Sequence, residues 1–160
     1  MYKTVKTNAY FEAMMKTVRD WRAARDERSV RKQTIIDTYG WENRELEAWY
    51  AEDQAARYPF AGGESKALQA WRVTIDREED ELEMDDFLWD KETHDFIETL
   101  RKAGIESFVY TNQSTAVMEN LHAFAAEGCE MTGLCTIVRT EDRFGRDETV
   151  EVPGIRFKVN

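Results

Sequence analysis

The chain has 160 residues, of which 42% are hydrophobic, 34% charged and 12% aromatic, and its formal net charge is −10. The apolar share is sufficient for one core of ordinary domain size and excludes a wholly disordered chain. No apolar run reaches the roughly 18 residues of a membrane span, and residues 1–10 lack the apolar centre of a signal peptide, so we expect a cytoplasmic protein without a membrane partner.

The charges are unevenly distributed along the chain. Residues 1–33 contain nine Lys or Arg against four Asp or Glu, whereas the rest contains thirteen against twenty-eight. A net charge this negative repels nucleic-acid phosphates and attracts basic surfaces by long-range steering. The composition therefore favours a basic protein partner over direct binding to nucleic acid.

The first predicted helix begins after Asn8, a suitable N-cap, and continues into the thirties, with Gly40 as a suitable end. It carries five arginines at intervals of three, which we call the helix arginines: Arg19, Arg22, Arg25, Arg28 and Arg31. Steps of three advance by about 300° around the axis, so these side chains wind around the helix and do not form one stripe. Three interpretations stay open: local ion pairs on a solvated helix, docking against the acidic part of the chain, and contact with nucleic-acid phosphates.

Two further helices are predicted before residue 76. The second is expected to end before Tyr58, because a residue that precedes proline is pushed out of helical geometry. Residues 59–63 are predicted to be a loop, and Ser65 to cap the third helix. The apolar residues between 71 and 75 alternate, so a short strand is the alternative there.

Residues 76–86, which we call the acidic tract, contain eight carboxylates and a single cation, Arg77. The carboxylates are those of Asp76, Glu78, Glu79, Asp80, Glu81, Glu83, Asp85 and Asp86. Their mutual repulsion favours solvent exposure, so an exposed linker or a frayed helix end is predicted. The tract is interpreted in three ways: a solvated surface, a site for a hard cation, or a partner-binding surface that imitates phosphates.

The last seventy residues are predicted to form helix, strand, helix, strand and strand. The helices are expected from Asp90, as N-cap, to Gly104 and from about 116 to Gly128, and the strands at 107–110, 131–139 and 150–159, the last interrupted at Pro153. This order predicts an α+β fold, with a helical N-terminal half and a small mixed sheet that has helices on one face. We expect one domain, 1–160, and consider two sub-lobes within it, 1–58 and 87–160, joined by 59–86.

The sequence contains no motif of a catalytic or cofactor-binding site. It has neither a CxxC pair nor an HExxH helix for zinc, no GxSxG elbow, and no glycine-rich loop for phosphates. We therefore expect a protein that is not an enzyme and has no cofactor. A metal-dependent hydrolase built from the acidic tract is an alternative, and it needs distant residues to converge.

A small, acidic, aromatic-rich chain without a catalytic motif resembles the anti-defence proteins of bacterial mobile elements, such as anti-CRISPR and DNA-mimic antirestriction proteins. This compositional resemblance implies an inhibitor or adaptor that presents carboxylates to a basic partner, for example a defence nuclease that binds nucleic acid. Two other hypotheses are a nucleic-acid-binding accessory protein that uses the helix arginines and a purely structural accessory protein.

Overall fold

The structure is a computed structural model that describes residues 5–160. Its helices are α1 (Ala9–Tyr39), α2 (Arg44–Ala55), α3 (Gly62–Asp76), α4 (Asp90–Lys102) and α5 (Val117–Ala126), and its strands are β1 (Leu82–Met84), β2 (Ser107–Tyr110), β3 (Glu130–Arg143) and β4 (Arg146–Lys158). The predicted α+β class is confirmed. The described chain forms two compact units, which we call the helical unit (13–60) and the sheet unit (5–12 with 61–160). The sheet unit includes α3 and β1, which fall in the stretch that sequence analysis assigns to a joining segment.

The helical unit joins α1 to α2 through their side chains. The indole N–H of Trp21 donates to the carbonyl of Ala56 at 3.1 Å, and that of Trp49 donates to the carbonyl of Arg28 at 2.7 Å. α1 ends where the sequence predicts, because Gly40 has a φ of +78°, a conformation that glycine adopts without steric cost. Two buried or half-buried tryptophans thus fix the position of α2 along α1.

The first turn of α1 belongs to the sheet unit. Asn8 is the predicted N-cap, and its Oδ1 atom accepts a hydrogen bond from the backbone of Phe11 at 3.1 Å. The ring of Phe11 stacks on Trp71 of α3 with centroids 5.3 Å apart, and the indole N–H of Trp71 donates to the carbonyl of Val5 at 2.9 Å. The start of α1 is therefore anchored on α3.

The four strands form one mixed sheet in the order β1-β2-β4-β3. β1 and β2 are parallel and are connected through α4, since parallel neighbours need a crossover. β2 is antiparallel to β4, and β4 is antiparallel to β3 in a long hairpin. The predicted mixed sheet is confirmed, whereas β1 was not predicted.

Aromatic side chains form the core between the sheet and its helices. Phe108 of β2 stacks on Phe157 of β4 at 5.5 Å and meets Phe96 of α4 and Phe124 of α5 edge-on, at 5.7 and 5.1 Å. All four rings are buried. α4 and α5 therefore cover this face, which we call the helix-covered face.

Two predicted helix starts are wrong. α3 begins at Gly62 and not after Ser65, because Gly63 lies against α4: a Cβ atom at Gly63 would be 2.0 Å from the carbonyl oxygen of Glu92. α4 is capped by Trp89 and not by Asp90, and the backbone N–H of Trp89 donates to the Glu92 carboxylate at 2.9 Å. Close packing against α4 thus accounts for the start of α3, and the bond between Trp89 and Glu92 accounts for the start of α4.

The predicted interruption of the last strand is also wrong, because β4 runs through Pro153. β2 pairs with β4 only between residues 155 and 158. At residues 146–154 the edge of β4 that faces away from β3 has no strand beside it among the described residues. Proline is tolerated at such an edge, because its missing N–H is not needed there for a hydrogen bond between strands.

The hairpin turns at Phe144 and Gly145, which have φ values of +57° and +76°. Two central residues with positive φ characterise a type I′ turn, in which asparagine or glycine is the favoured first residue. Phe144 is instead fully exposed, so its ring gains no packing that compensates for this backbone conformation.

Replacement of Phe144 by asparagine should therefore stabilise the protein. We expect Phe144→Asn to raise the free energy of unfolding by about 1 kcal/mol, since asparagine adopts the left-handed conformation at lower cost. Urea denaturation monitored by tryptophan fluorescence measures the change. Phe144→Ala removes the same ring without this backbone preference and should give no gain; equal stability of the two variants would contradict the turn assignment.

Candidate acidic interaction site

The acidic tract is not a linker. Asp76 is the last residue of α3, residues 77–81 form a connection, and β1 follows at once. The predicted linker or frayed helix end is wrong because Leu82 and Met84 are buried in the sheet beside β2. Burying two such side chains contributes roughly 3–6 kcal/mol, which outweighs the repulsion between neighbouring carboxylates.

Glu83 points to the opposite face of β1 and is only 1% exposed. Its Oε2 atom accepts a hydrogen bond from Arg77 at 2.9 Å. Its Oε1 atom accepts hydrogen bonds from Thr111, at 2.5 Å, and from Arg139. The expectation that this carboxylate is exposed to a partner is therefore wrong, since two cations and a hydroxyl inside the sheet unit already surround it.

The Glu79 carboxylate is also withdrawn from solvent. Both of its oxygens are buried, and neither has a hydrogen-bond partner within residues 5–160. Burial, followed by the neighbouring Glu83 carboxylate, raises the pKa of Glu79 to about 8, against the opposing effect of Arg77 and Arg139. Glu79 therefore holds its proton at neutral pH and offers no charge to a partner.

Three more carboxylates of the tract have partners in the sheet unit. Glu81 accepts two hydrogen bonds from Arg156, at 2.8 and 2.7 Å. Asp85 lies 3.1 Å from Arg77. Asp86 lies 3.6 Å from a nitrogen of Lys66 and is half exposed. These ion pairs attach both ends of β1 to neighbouring elements.

The remaining three carboxylates, of Asp76, Glu78 and Asp80, are exposed and have no ion-pair partner in the described part of the chain. We call them the exposed acidic turn. The backbone N–H of Glu78 donates to Ile75 at 3.0 Å and that of Glu79 donates to Thr74 at 3.0 Å, the two bonds of a Schellman helix end. The turn is thus a regular, hydrogen-bonded structure and not a loose loop.

Sequence reasoning missed Glu106, an exposed carboxylate beside this turn. A small cleft of about 80 Å³ is lined by Asp80, Glu81 and Glu106. Because β1 and β2 are parallel, the residues that precede each strand lie at the same edge of the sheet. The missing signal was β1 itself, since without that strand nothing in the sequence places residue 106 near residue 80.

The helix arginines do not form one surface. Arg28 lies 3.1 Å from Asp53, and Arg31 is paired with Glu52, both on α2. Arg25 lies over the Trp21 ring, 5.2 Å from its centroid. Two of the set, Arg19 and Arg22, are exposed and have no ion-pair partner among the described residues. The predicted phosphate-binding set is therefore partly engaged within the helical unit.

The described residues offer little for metal or thiol chemistry. Within residues 5–160, no group of three or more His, Cys, Asp or Glu side chains could hold a metal ion. Cys129 and Cys135 are free thiols, and burial raises the pKa of both, which keeps them protonated and weakly nucleophilic at neutral pH. No helix in the part of the chain that the structure describes has the length and apolar character needed to cross a membrane.

Residues 66–159 match the model of a protein family, DUF7698, described as a domain of unknown function. The chain belongs to this family. Neither the comparison with curated proteins nor the comparison with solved structures gave a match. The matched segment has eleven Lys or Arg against twenty-one Asp or Glu, so its charge equals that of the whole chain. The negative charge is thus a property of the family segment, which contains the acidic tract and the entire sheet.

The buried Glu79 makes stability depend on pH. Its pKa is about 8 in the folded protein and near 4.5 in an ordinary glutamate, so between these values the folded state binds more protons than the unfolded state and stability falls as pH rises. Glu79→Gln removes this loss. Because the residue as a whole is only half-buried, solvent screening reduces the effect of this pKa difference, and we expect the decrease in unfolding free energy from pH 5 to pH 8 to become smaller by about 2 kcal/mol.

Urea denaturation at pH 5, 6.5 and 8 tests this prediction. Glu78→Gln is the matched control, because it removes a neighbouring carboxyl group that is exposed. It should leave the pH dependence of the wild type unchanged. Parallel pH profiles for the wild type and Glu79→Gln would show that Glu79 ionises normally in the folded state.

Proposed function

We propose that this protein is a non-enzymatic inhibitor or adaptor that binds a basic protein through the exposed acidic turn. The observation that carries the proposal is the separation of the tract into two groups. Asp76, Glu78 and Asp80 face solvent without a cation, while the other carboxylates are buried or have partners in the sheet unit. The exposed charges are therefore available to another molecule.

The ion pairs beneath the turn support this proposal because they hold it in one geometry. Glu81 is attached to Arg156 by two hydrogen bonds, and Glu83 is attached to Arg77 and Arg139. A surface that is ordered before binding loses less conformational entropy on association. The exposed carboxylates then meet a partner in fixed positions, as phosphates of a nucleic acid do.

The backbone of Glu78 is a second supporting observation. Its φ of +57° lies in the left-handed region, at the position of a Schellman helix end where glycine is the common residue. A side chain there costs about 1 kcal/mol relative to glycine. An exposed carboxylate at a position that favours glycine is the pattern of a residue that serves binding at the expense of stability.

The charge of the sheet unit favours a strongly basic partner, of which a nucleic-acid-binding enzyme such as a defence nuclease is the class we propose. Long-range attraction between surfaces of opposite sign accelerates encounter, and it also disfavours nucleic acid as the direct ligand. The compositional resemblance to anti-defence proteins points to the same class. A cytoplasmic location belongs to this proposal, since such enzymes act on intracellular nucleic acid.

Neutralising the exposed acidic turn should slow association with the partner. After affinity capture has supplied that partner, surface plasmon resonance compares the wild type with the triple variant Asp76→Asn, Glu78→Gln, Asp80→Asn. We expect the association rate constant at low salt to fall roughly tenfold and its dependence on salt to become weaker, because the steering charges are lost.

The matched control removes three exposed carboxylates from β4 by Asp147→Asn, Glu148→Gln and Glu151→Gln. It changes the net charge by the same amount at a different place, so a local effect must be smaller in this variant. Equal association rates for the triple variant and the control would show that only total charge matters, and an unchanged rate in the triple variant would rule the turn out.

Substitutions of Glu78 should separate folding from binding. Glu78→Gly is expected to raise the free energy of unfolding by about 0.5–1 kcal/mol, because glycine adopts positive φ without a steric penalty, and to slow association with the partner. Glu78→Ala loses the same charge but retains the β-carbon, so it should slow association without the gain in stability. Urea denaturation and surface plasmon resonance on both variants provide the two readouts. A more stable glycine variant with wild-type association would contradict a binding role for Glu78.

A further inference from the structure

β3 is the edge strand at one side of the sheet. In the order β1-β2-β4-β3 it pairs with β4 alone among the described residues. Its other edge therefore presents backbone N–H and C=O groups that no strand within residues 5–160 pairs with. Such an edge is a template for the addition of another strand.

This edge also lacks the features that normally prevent strand addition. From Thr132 to Val138 the strand has seven residues without a charge or a proline. A bulge between Met131 and Gly133 interrupts only its beginning. Lysine, proline and short length are the usual protections of an edge strand, and the 14-residue β3 has none of them along this run.

Two apolar side chains on this strand are exposed on the same side. Leu134 is 84% exposed and Val138 is 60% exposed, and exposure alternates along the strand between these positions. Large apolar side chains that protrude next to a free strand edge are a cost to an isolated chain, and strand addition would remove part of their surface from water.

We propose that β3 pairs with β3 of a second copy of the chain, antiparallel and centred on Thr136, so that two four-stranded sheets become one. Directly opposed residues of antiparallel strands lie on the same face. In this register Leu134 of each copy is opposite Val138 of the other, and the two Thr136 residues are opposite each other. A shift of the centre by one residue in either direction would place both apolar side chains opposite threonines.

The second copy is the occupant because the strand is complementary to itself. Its exposed residues within the run are apolar or threonine, and cross-strand pairs of these types are favourable. The run itself contains no charge, although Glu130 and Asp142 lie near the two ends of the paired strands and each chain carries a net charge of −10. Glu78 and Asp80 also line a shallow pocket with Val138, so carboxylates of both copies lie near the paired strands. Salt screens their repulsion, so the dimer should become tighter as salt is added. This inference does not depend on the proposed basic partner.

The first experiment measures the mass of the purified full chain by analytical ultracentrifugation over a range of protein and salt concentrations. We expect a dimer whose dissociation constant falls with increasing salt. Leu134→Lys with Val138→Lys should raise the dissociation constant by at least about tenfold, because a lysine at an edge strand opposes pairing. The control Thr149→Lys adds one exposed charge on β4, away from the free edge of β3, and should leave the dimer intact.

The second experiment tests the register by cross-linking. Opposed Cα atoms of antiparallel strands are about 4.5–5.5 Å apart, which is within the range of a disulfide. In a Cys135→Ala background, Thr136→Cys should therefore form a disulfide-linked dimer on mild oxidation, while Thr140→Cys, which is opposite residue 132, should not.

The proposed β3–β3 dimer makes several results impossible. A monomer at all protein and salt concentrations would overturn it, as would a dimer that the lysine variant leaves unchanged. Efficient cross-linking through position 140 but not 136 would overturn the register. Far-UV circular dichroism checks that each variant is folded, which we expect because the substituted side chains are exposed, apart from the half-buried Cys135, where alanine is the smaller residue. Loss of the dimer with partner binding unchanged would leave the proposed function intact.

Discussion

The sheet unit is organised around one buried negative charge, the carboxylate of Glu83. The side chains that bind it come from three places: Arg77 from the end of α3, Thr111 from the end of β2, and Arg139 from the hairpin. A buried carboxylate costs several kcal/mol unless opposite charges and hydrogen bonds compensate for it. These three elements must therefore stay together around β1, and the shape of the connection that precedes β1 follows from that requirement.

This constraint also explains how a run of like charges folds. The strand alternates its side chains, so Leu82 and Met84 enter the helix-covered core while Glu83 enters the opposite face. The arginines that neutralise the tract come mainly from distant parts of the chain. What remains at the surface is a short turn with three carboxylates, and the local density of charge in the sequence overstates the charge that a partner would meet.

The positive charge at the start of the chain is likewise neutralised in the folded protein. The sequence of residues 1–33 is rich in Lys and Arg, but residues 13–60, which form the helical unit, contain nine Lys or Arg and nine Asp or Glu. α2 supplies Asp53 and Glu52 to Arg28 and Arg31. The helical unit has no net charge as a result, whereas the family segment has all of it. For this reason the proposed function rests on the sheet unit.

Local signals in the sequence determined the ends of α1, through Asn8 and Gly40, and the position of β2, because caps, left-handed glycines and short apolar runs act on their immediate neighbours. They also determined the α+β class. Only the tertiary structure decided that residues 82–84 form a strand, that Glu79 and Glu83 are buried, and that Arg139 and Arg156 neutralise the tract. Those features depend on contacts between residues up to 75 positions apart, and a charge run read alone contains no information about the cations that fold onto it.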